Sequence, residues 1–223
     1  MIKEFKKKIK IAILISGNGS NLDSIINTCK EPDTDAEVVV VISNNPRAPG
    51  LVKSKEYKIP SYVVDHKSYS SRLTFEKALD EVIRKYDANF ICNAGFMRIL
   101  SSWFVNKWYN KQINIHPSLL PAYPGLNTHE RVLNEGIRFT GCTIHFIRTG
   151  LDNGPIIIQS SIPVFPTDDI ISLKRKVLTQ ENLIYPIAIR LLAKDKIKII
   201  NEKVIVENQI FGAKEQINPL VKL

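Results

Sequence analysis

Cysteine is scarce. The three present, Cys29, Cys92 and Cys142, are an odd number with no close pair. That excludes a disulfide framework and fits a reducing cytosol, so each reads as a small buried hydrophobe. The four histidines lie in no HExxH segment and beside no cysteine pair, which removes the usual zinc patterns. No apolar run approaches the length of a membrane span; the longest, residues 11–15 and 38–42, read as buried strands. The basic start mimics a signal peptide, but its apolar core is too short and no small-residue cleavage site follows. Repeats and linkers are also missing. What remains is 223 residues of ordinary globular composition, enough for one domain to bury a core without disulfides or a structural metal.

Positive charge is in surplus, at +9. Five lysines (Lys3, Lys6, Lys7, Lys8 and Lys10) against Glu4 put +4 in the first ten residues and leave +5 for the other 213. Such a surplus suits nucleic acid or small anionic substrates, and a solvated tail is the plain reading of the lysine run.

Short Val- and Ile-rich segments at 10–15, 37–42, 61–64 and 89–94 alternate with helical candidates at 21–29, 48–57 and 71–86. In the last of these Leu73, Phe75, Leu79, Val82 and Ile83 share one helical face. Alternation of this kind predicts βαβ units and a parallel sheet with right-handed crossovers. The second half changes character. A strand at 112–115 enters a proline-rich loop at 116–125. Strands at 141–147 and 155–162 flank a turn at 149–154. A helical stretch at 168–194 carries Pro186, which is expected to kink or split it. A hairpin at 197–200 and 204–206 closes the series. The expected fold class is α/β: a Rossmann-like mixed, mostly parallel sheet flanked by helices.

With only ten glycines in the chain, two of them in Gly17-Asn18-Gly19, between a strand and a helix start, carry information. Glycine lets backbone N–H groups approach a ligand, and the following helix N-terminus favours an anion, so a phosphate is the natural guest. Ser20 and Asn21 are expected to add side-chain hydrogen bonds and cap the helix. Leu22 stands where a dinucleotide fingerprint wants glycine, and 42–44 (Ile-Ser-Asn) offers no acid for a ribose, which weighs against NAD. The Gly-Lys-Ser/Thr of a P-loop is absent as well. A glycine turn that merely packs helix on strand stays open.

The segment Ile113-Asn114-Ile115-His116-Pro117 is the sharpest local signal. Alternate strand residues share a face, so Asn114 and His116 point together while Ile113 and Ile115 point into the core. An amide that can donate to an oxyanion beside an imidazole that can carry a proton suits acyl chemistry. A histidine simply hydrogen-bonded at a strand end is the plainer alternative. Asp152, in the turn Leu151-Asp152-Asn153-Gly154-Pro155, could favour the imidazolium and raise the His116 pKa, although turn aspartates usually serve the turn. His145 reads as a core or sheet-face residue and His129 as lying in the first turn of a helix.

Together with Ala94-Gly95-Phe96-Met97-Arg98-Ile99-Leu100, Asn114-Ile115-His116-Pro117-Ser118-Leu119-Leu120-Pro121 and Thr179-Gln180-Glu181, the loop Ser16-Gly17-Asn18-Gly19-Ser20-Asn21-Leu22 and the Asp152 turn resemble the phosphoribosylglycinamide formyltransferase family of folate-dependent enzymes. The resemblance covers about residues 10–208. It implies transfer of a formyl group from 10-formyltetrahydrofolate, as co-substrate, to the amine of glycinamide ribonucleotide, with no metal. It assigns Asn114 and His116 to the oxyanion, His116 as proton donor, and Asp152 to raising the His116 pKa and moving the amine proton through water. Gly19, Ser20, Asn21 and Glu181 would bind the nucleotide. Arg72, Met97, Arg98, Ile99, Leu100, Asn114, Arg148, Thr149, Gly150, Leu151 and Asp152 would bind the folate, Arg72 attracting its glutamate tail. Residues 1–9 are then a basic extension, 10–110 a phosphate-binding half, 111–208 a catalytic and folate-binding half, and 209–223 a tail. The expected partners are small molecules only, with no nucleic acid or membrane. The expected state is a cytoplasmic monomer or homodimer.

Two departures from the family pattern stand out: Asn153 where a small residue is usual, able to adopt a left-handed conformation, and Asn127 where histidine is expected. Formyltetrahydrofolate deformylase resembles this chemistry but carries a further N-terminal domain, and methionyl-tRNA formyltransferase a further C-terminal one. Formyl transfer to another amine stays open. A non-catalytic nucleic-acid-binding module would use the lysine-rich end, and the charge beyond it is too diffuse to favour that.

Overall fold

The computed structural model describes residues 8–207, so most of the basic extension and the tail expected at 209–223 lie outside the described residues. A seven-stranded sheet runs in the order β3-β2-β1-β4-β5-β6-β7. Its strands are β1 (Ile9–Ile15), β2 (Ala36–Ser43), β3 (Ser61–Val63), β4 (Phe90–Asn93), β5 (Gln112–His116), β6 (Phe139–Phe146) and β7 (Ile156–Pro163). The first five pair in parallel, and β6 and β7 join antiparallel, as the mixed, mostly parallel reading expects.

The helices are α1 (Leu22–Lys30), α2 (Gly50–Glu56), α3 (Arg72–Lys85), α4 (Ser102–Lys107), α5 (Thr128–Asn134) and α6 (Ile170–Ala193). A separate hairpin, β8 (Ile197–Ile200) and β9 (Lys203–Val206), follows α6.

The alternation along β1 builds two cores. Ile11, Ile13 and Ile15 face the layer that holds α1 and α6, and Ala12 and Leu14 face the layer of α3 and α4. All five are essentially inaccessible, and burying each large apolar side chain is worth about 1.5–3 kcal/mol.

Two elements differ from expectation. Pro186 does not break α6, which is unbroken from Ile170 to Ala193. Tyr185, Ala188 and Ile189 are buried on either side of it, and that burial outweighs the roughly 3 kcal/mol an internal proline costs. Helix α4 is additional, its apolar Trp103, Phe104 and Val105 forming a contiguous run with no helical period. It is tied to α3 by buried carboxylates. Asp80 accepts from Lys107 Nζ at 2.6 Å and Trp108 Nε1 at 3.1 Å. Glu76 accepts from the Ser101 backbone N–H at 2.6 Å and from the Ser101 hydroxyl.

Strand order reverses between β1 and β4. One crossover series runs outward through β2 and β3, and the other starts at β4 on the opposite side of β1. In open α/β sheets the crevice beyond the carboxyl ends of the strands at such a point is where ligands bind. Here the loop after β1, the loop after β4 and the end of β5 converge there.

Candidate active site

The loop after β1 holds the first group of residues. Gly19 has φ +60°, and a Cβ there would stand 2.5 Å from Leu22 Cδ1, so turn and packing both require glycine. A Cβ on Gly17 would meet nothing within 4 Å, leaving that face of the loop open. Ser20 is exposed and Asn21 buried.

The expected cap is not made. Asn21 occupies the N-cap of α1 but forms no side-chain cap bond. Its Nδ2 instead donates to Glu181 Oε2 at 3.1 Å and Asn182 Oδ1 at 3.3 Å, both on α6. Capping is a local preference, and a buried amide facing two acceptors on another helix satisfies those instead. The first turn of α1 is therefore left without a side-chain cap, although the Leu22 N–H donates to the Gly19 carbonyl at 3.0 Å; an uncapped helix start is an arrangement that attracts an anion. Burial pushes the Glu181 carboxyl above its ordinary range, opposed by the Asn21 hydrogen bond and the Lys174 charge.

The second group lies at the end of β5. Ile113 and Ile115 are buried in the core while Asn114 and His116 share the other face. His116 is 5% exposed. Its Nε2 lies 2.8 Å from the Tyr123 carbonyl oxygen and its Nδ1 3.3 Å from Asp152 Oδ2. Both ring nitrogens thus face oxygen atoms. The aspartate that sequence alone leaves as a turn residue does meet this histidine. Asp152 itself has φ +49° and accepts the Gly125 backbone N–H at 2.8 Å. The left-handed residue of this turn is Asp152, not Asn153; the Asn153 amide donates to the Thr149 carbonyl at 3.3 Å and fills the space beside Gly150.

His145 is buried on β6, as its core or sheet-face reading expects, and what sequence reasoning missed is its contact with Asn114. It stands opposite Asn114 across the β5–β6 pair. Its Nε2 is 3.4 Å from Asn114 Nδ2 and 3.9 Å from Asp152 Oδ1, and its Nδ1 is 2.9 Å from the Phe146 carbonyl. The signal that could have found it is the antiparallel register, which the two strand segments do not print by themselves. Burial pulls the His145 pKa below its ordinary value of 6.5, helped by the nearby His116 charge and opposed by Phe146 and Asp152. His129 opens α5 as expected; its Nδ1 is buried without a partner, and burial lowers its pKa too.

The segments expected to hold a folate are scattered around the same crevice. Met97 and Ile99 are exposed apolar side chains, as is Leu151 on the Asp152 loop. The Met97 N–H is already engaged, donating to Ser16 Oγ at 2.7 Å. Arg98 is exposed and Leu100 half-buried, and Arg72 opens α3 with its side chain exposed. Arg148 is different, because its guanidinium turns to Glu202 and Asn110, leaving only its backbone to the loop of Thr149 and Gly150.

A half-buried amide, a buried imidazole and a half-buried carboxylate gather at the carboxyl end of β5, beside the glycine loop and close to the switch point of a mostly parallel sheet, a set whose chemistry suits an α/β group-transfer enzyme. The chain belongs to the formyl transferase family, whose pattern it matches over residues 9–189. It is 40% identical over 191 residues to phosphoribosylglycinamide formyltransferase of Escherichia coli strain K12, covering 86% of this chain and 90% of that one. It is 45% identical to the trifunctional purine biosynthetic protein adenosine-3 of Bos taurus, again over 86% of this chain, but it spans only 19% of that protein's length. The crystal structure of glycinamide ribonucleotide transformylase 1 from Symbiobacterium toebii superposes with a TM-score of 0.87 at 39% identity, over 90% of this chain and 94% of that one.

Proposed function

We propose that this chain transfers the formyl group of 10-formyltetrahydrofolate to the amine of glycinamide ribonucleotide, in purine biosynthesis. The observation that carries the reading is the meeting of Asn114, His116 and Asp152, from two separate segments, at the carboxyl end of β5. The relatives of comparable length bear the corresponding name.

The amine attacks the formyl carbon, a C–N bond forms, and the carbonyl oxygen becomes an oxyanion. Collapse breaks the bond to N10 of the folate and releases tetrahydrofolate and formylglycinamide ribonucleotide. Asn114 donates to the oxyanion, and His116, exchanging the Nε2 contact with the Tyr123 carbonyl for one with the substrate, donates to it and supplies the proton that the leaving nitrogen needs. Asp152 accepts from His116 and, through water, takes up the proton lost by the attacking amine. The N–H groups of Gly19, Ser20 and Asn21 hold the phosphate, and Glu181 contacts the ribose or amine side. Met97, Arg98, Ile99 and Leu100, with residues 148–152, line the folate, and Arg72 attracts its tail. Both substrates are anions, which suits the basic balance of the chain. In this reading the enzyme works in the cytoplasm as a monomer or homodimer.

The test follows folate deformylation spectrophotometrically, with and without glycinamide ribonucleotide. Turnover only with the nucleotide is expected. Equal turnover without it would make water the acceptor and the protein a hydrolase. Within this reading Glu181→Ala separates the two substrates. It removes the carboxylate and leaves Asn21 one partner short, so KM for the nucleotide is expected to rise about tenfold or more, with KM for the folate unchanged. A rise shared equally by both substrates would remove Glu181 from the nucleotide subsite.

A further inference from the structure

The turn of the C-terminal hairpin contains a residue that its backbone disfavours. Ile200 pairs with Lys203, so β8 and β9 are joined by the two residues Asn201 and Glu202. Both have positive φ, +49° and +58°. A two-residue loop of this kind takes Asn-Gly or Asp-Gly, because the second position also lies in the left-handed region. Asn201 conforms. Glu202 does not, and a β-carbon there costs roughly 1–2 kcal/mol. Strain of this sort persists where surrounding contacts over-determine the residue.

Those contacts lead to the candidate active site. Glu202 Oε2 accepts from Arg148 Nε at 2.6 Å, and Oε1 accepts from Arg148 at 3.3 Å and from the Tyr109 hydroxyl at 2.9 Å. The guanidinium lies 3.9 Å above the Tyr109 ring, donates to Asn110 Oδ1 at 2.7 Å and returns to the Ile147 carbonyl at 3.0 Å. Bidentate pairing combined with ring stacking fixes an arginine in both position and tilt. The Arg148 side chain is only 11% exposed although Glu202 is 55% exposed, so the hairpin turn reaches over from solvent to hold it. Arg148 is the second residue of the 147–154 loop that carries Asp152. The base of that loop is closed by the Phe146 N–H on the Pro155 carbonyl at 2.9 Å. Gly154 packs so closely on the Phe146 carbonyl that a Cβ would fall 1.7 Å from its oxygen. Arg148 is the anchor on the outer side of this loop, as Gly125 is at Asp152.

We propose that Glu202 is a positioning residue for formyl transfer: through Arg148 it makes the terminal hairpin a strut for the loop that carries Asp152 and lines the folate. The inference rests on the formyl-transfer reading of the site. It accounts for a glutamate at a glycine position, for an arginine turned away from the ligand crevice, and for the hairpin's place beside Tyr109.

Glu202→Gly is the decisive variant, because glycine suits the turn better than glutamate does. If Glu202 served only the hairpin, the variant would be as stable as the parent or more so, with its kinetics unchanged. The strut predicts something else. Stability should hold, amide hydrogen exchange should quicken in peptides covering 147–154, and kcat/KM for 10-formyltetrahydrofolate should fall roughly tenfold, the coupling expected within one ion-pair network. KM for glycinamide ribonucleotide should not move. Arg148→Ala should reproduce the loss, and the double variant should lose no more than either single one. Unchanged exchange in 147–154 overturns the strut, whatever the enzyme's activity. Faster exchange with unchanged folate kinetics overturns its catalytic relevance. If the wild-type protein does not formylate the nucleotide at all, the functional reading fails, and the exchange measurement still judges the strut.

Discussion

His116→Ala is expected to lower kcat by about 10²–10⁴, the range for losing a positioned proton donor. The size follows from where the ring sits. It is nearly inaccessible, with Nε2 on the Tyr123 carbonyl and Nδ1 facing Asp152. Water cannot reproduce a donor oriented in this way. The glycine loop after β1 and the exposed apolar residues after β4, proposed to hold the two substrates, are separate elements, so both KM values should stay within a few-fold of wild type. The fold should survive as well, since Asp152 keeps the Gly125 N–H and β5 keeps Ile113 and Ile115 in the core. A thermal melt beside steady-state kinetics for both substrates separates the cases. Wild-type kcat in a folded variant would take His116 out of the proton path, and a collapsed melt would mean the ring is chiefly a packing element.

The features legible in the sequence were those that depend on neighbours along the chain. Buried parallel strands announce themselves as Val/Ile runs, which is why β1, β2 and β4 and the helices between them fall where expected. Asn114 and His116 were readable as a pair because a strand repeats every two residues. What escaped depends on contacts distant in sequence. His145 reaches Asn114 only through the β5–β6 register. Asn21 reads locally as a cap, and an acceptor 160 positions away claims its amide instead. Arg148 lies beside the Asp152 turn in sequence while its head group belongs to a hairpin 54 residues further on. Helix α4 was missed because three contiguous apolar residues carry no period, and the buried Asp80 and Glu76 that fix it look in the sequence like ordinary charges on a helix.

Asn114→Ala is expected to cost about 10²–10³ in kcat, the loss seen for a single oxyanion donor, with substrate binding retained. The argument turns on which way the amide faces. His145 Nδ1 donates to the Phe146 carbonyl at 2.9 Å, so in the neutral ring Nε2 carries a lone pair. Burial holds the His145 pKa below 6.5, which keeps the ring neutral at pH 7. A lone pair 3.4 Å from Asn114 Nδ2 selects the orientation that presents the NH₂ edge. One of its hydrogens is taken by His145, and in the proposed mechanism the other serves the developing oxyanion. Asn114→Asp should therefore be worse than alanine, since it sets an acceptor where negative charge must form. The same geometry predicts an acid limit. The folded His145 resists protonation, so its contribution to stability is complete above 6.5, the ordinary value for the unfolded chain. That contribution shrinks as the pH falls from there and is lost once the folded ring takes its proton. Protonation would make Nε2 a donor and free the amide to turn its oxygen toward the oxyanion, so turnover should fall in the same window. A variant series measured for kcat against pH checks both statements. An Asn114→Ala enzyme with wild-type kcat, or an acid limb unmoved by His145→Gln, would mean that the oxyanion is held elsewhere.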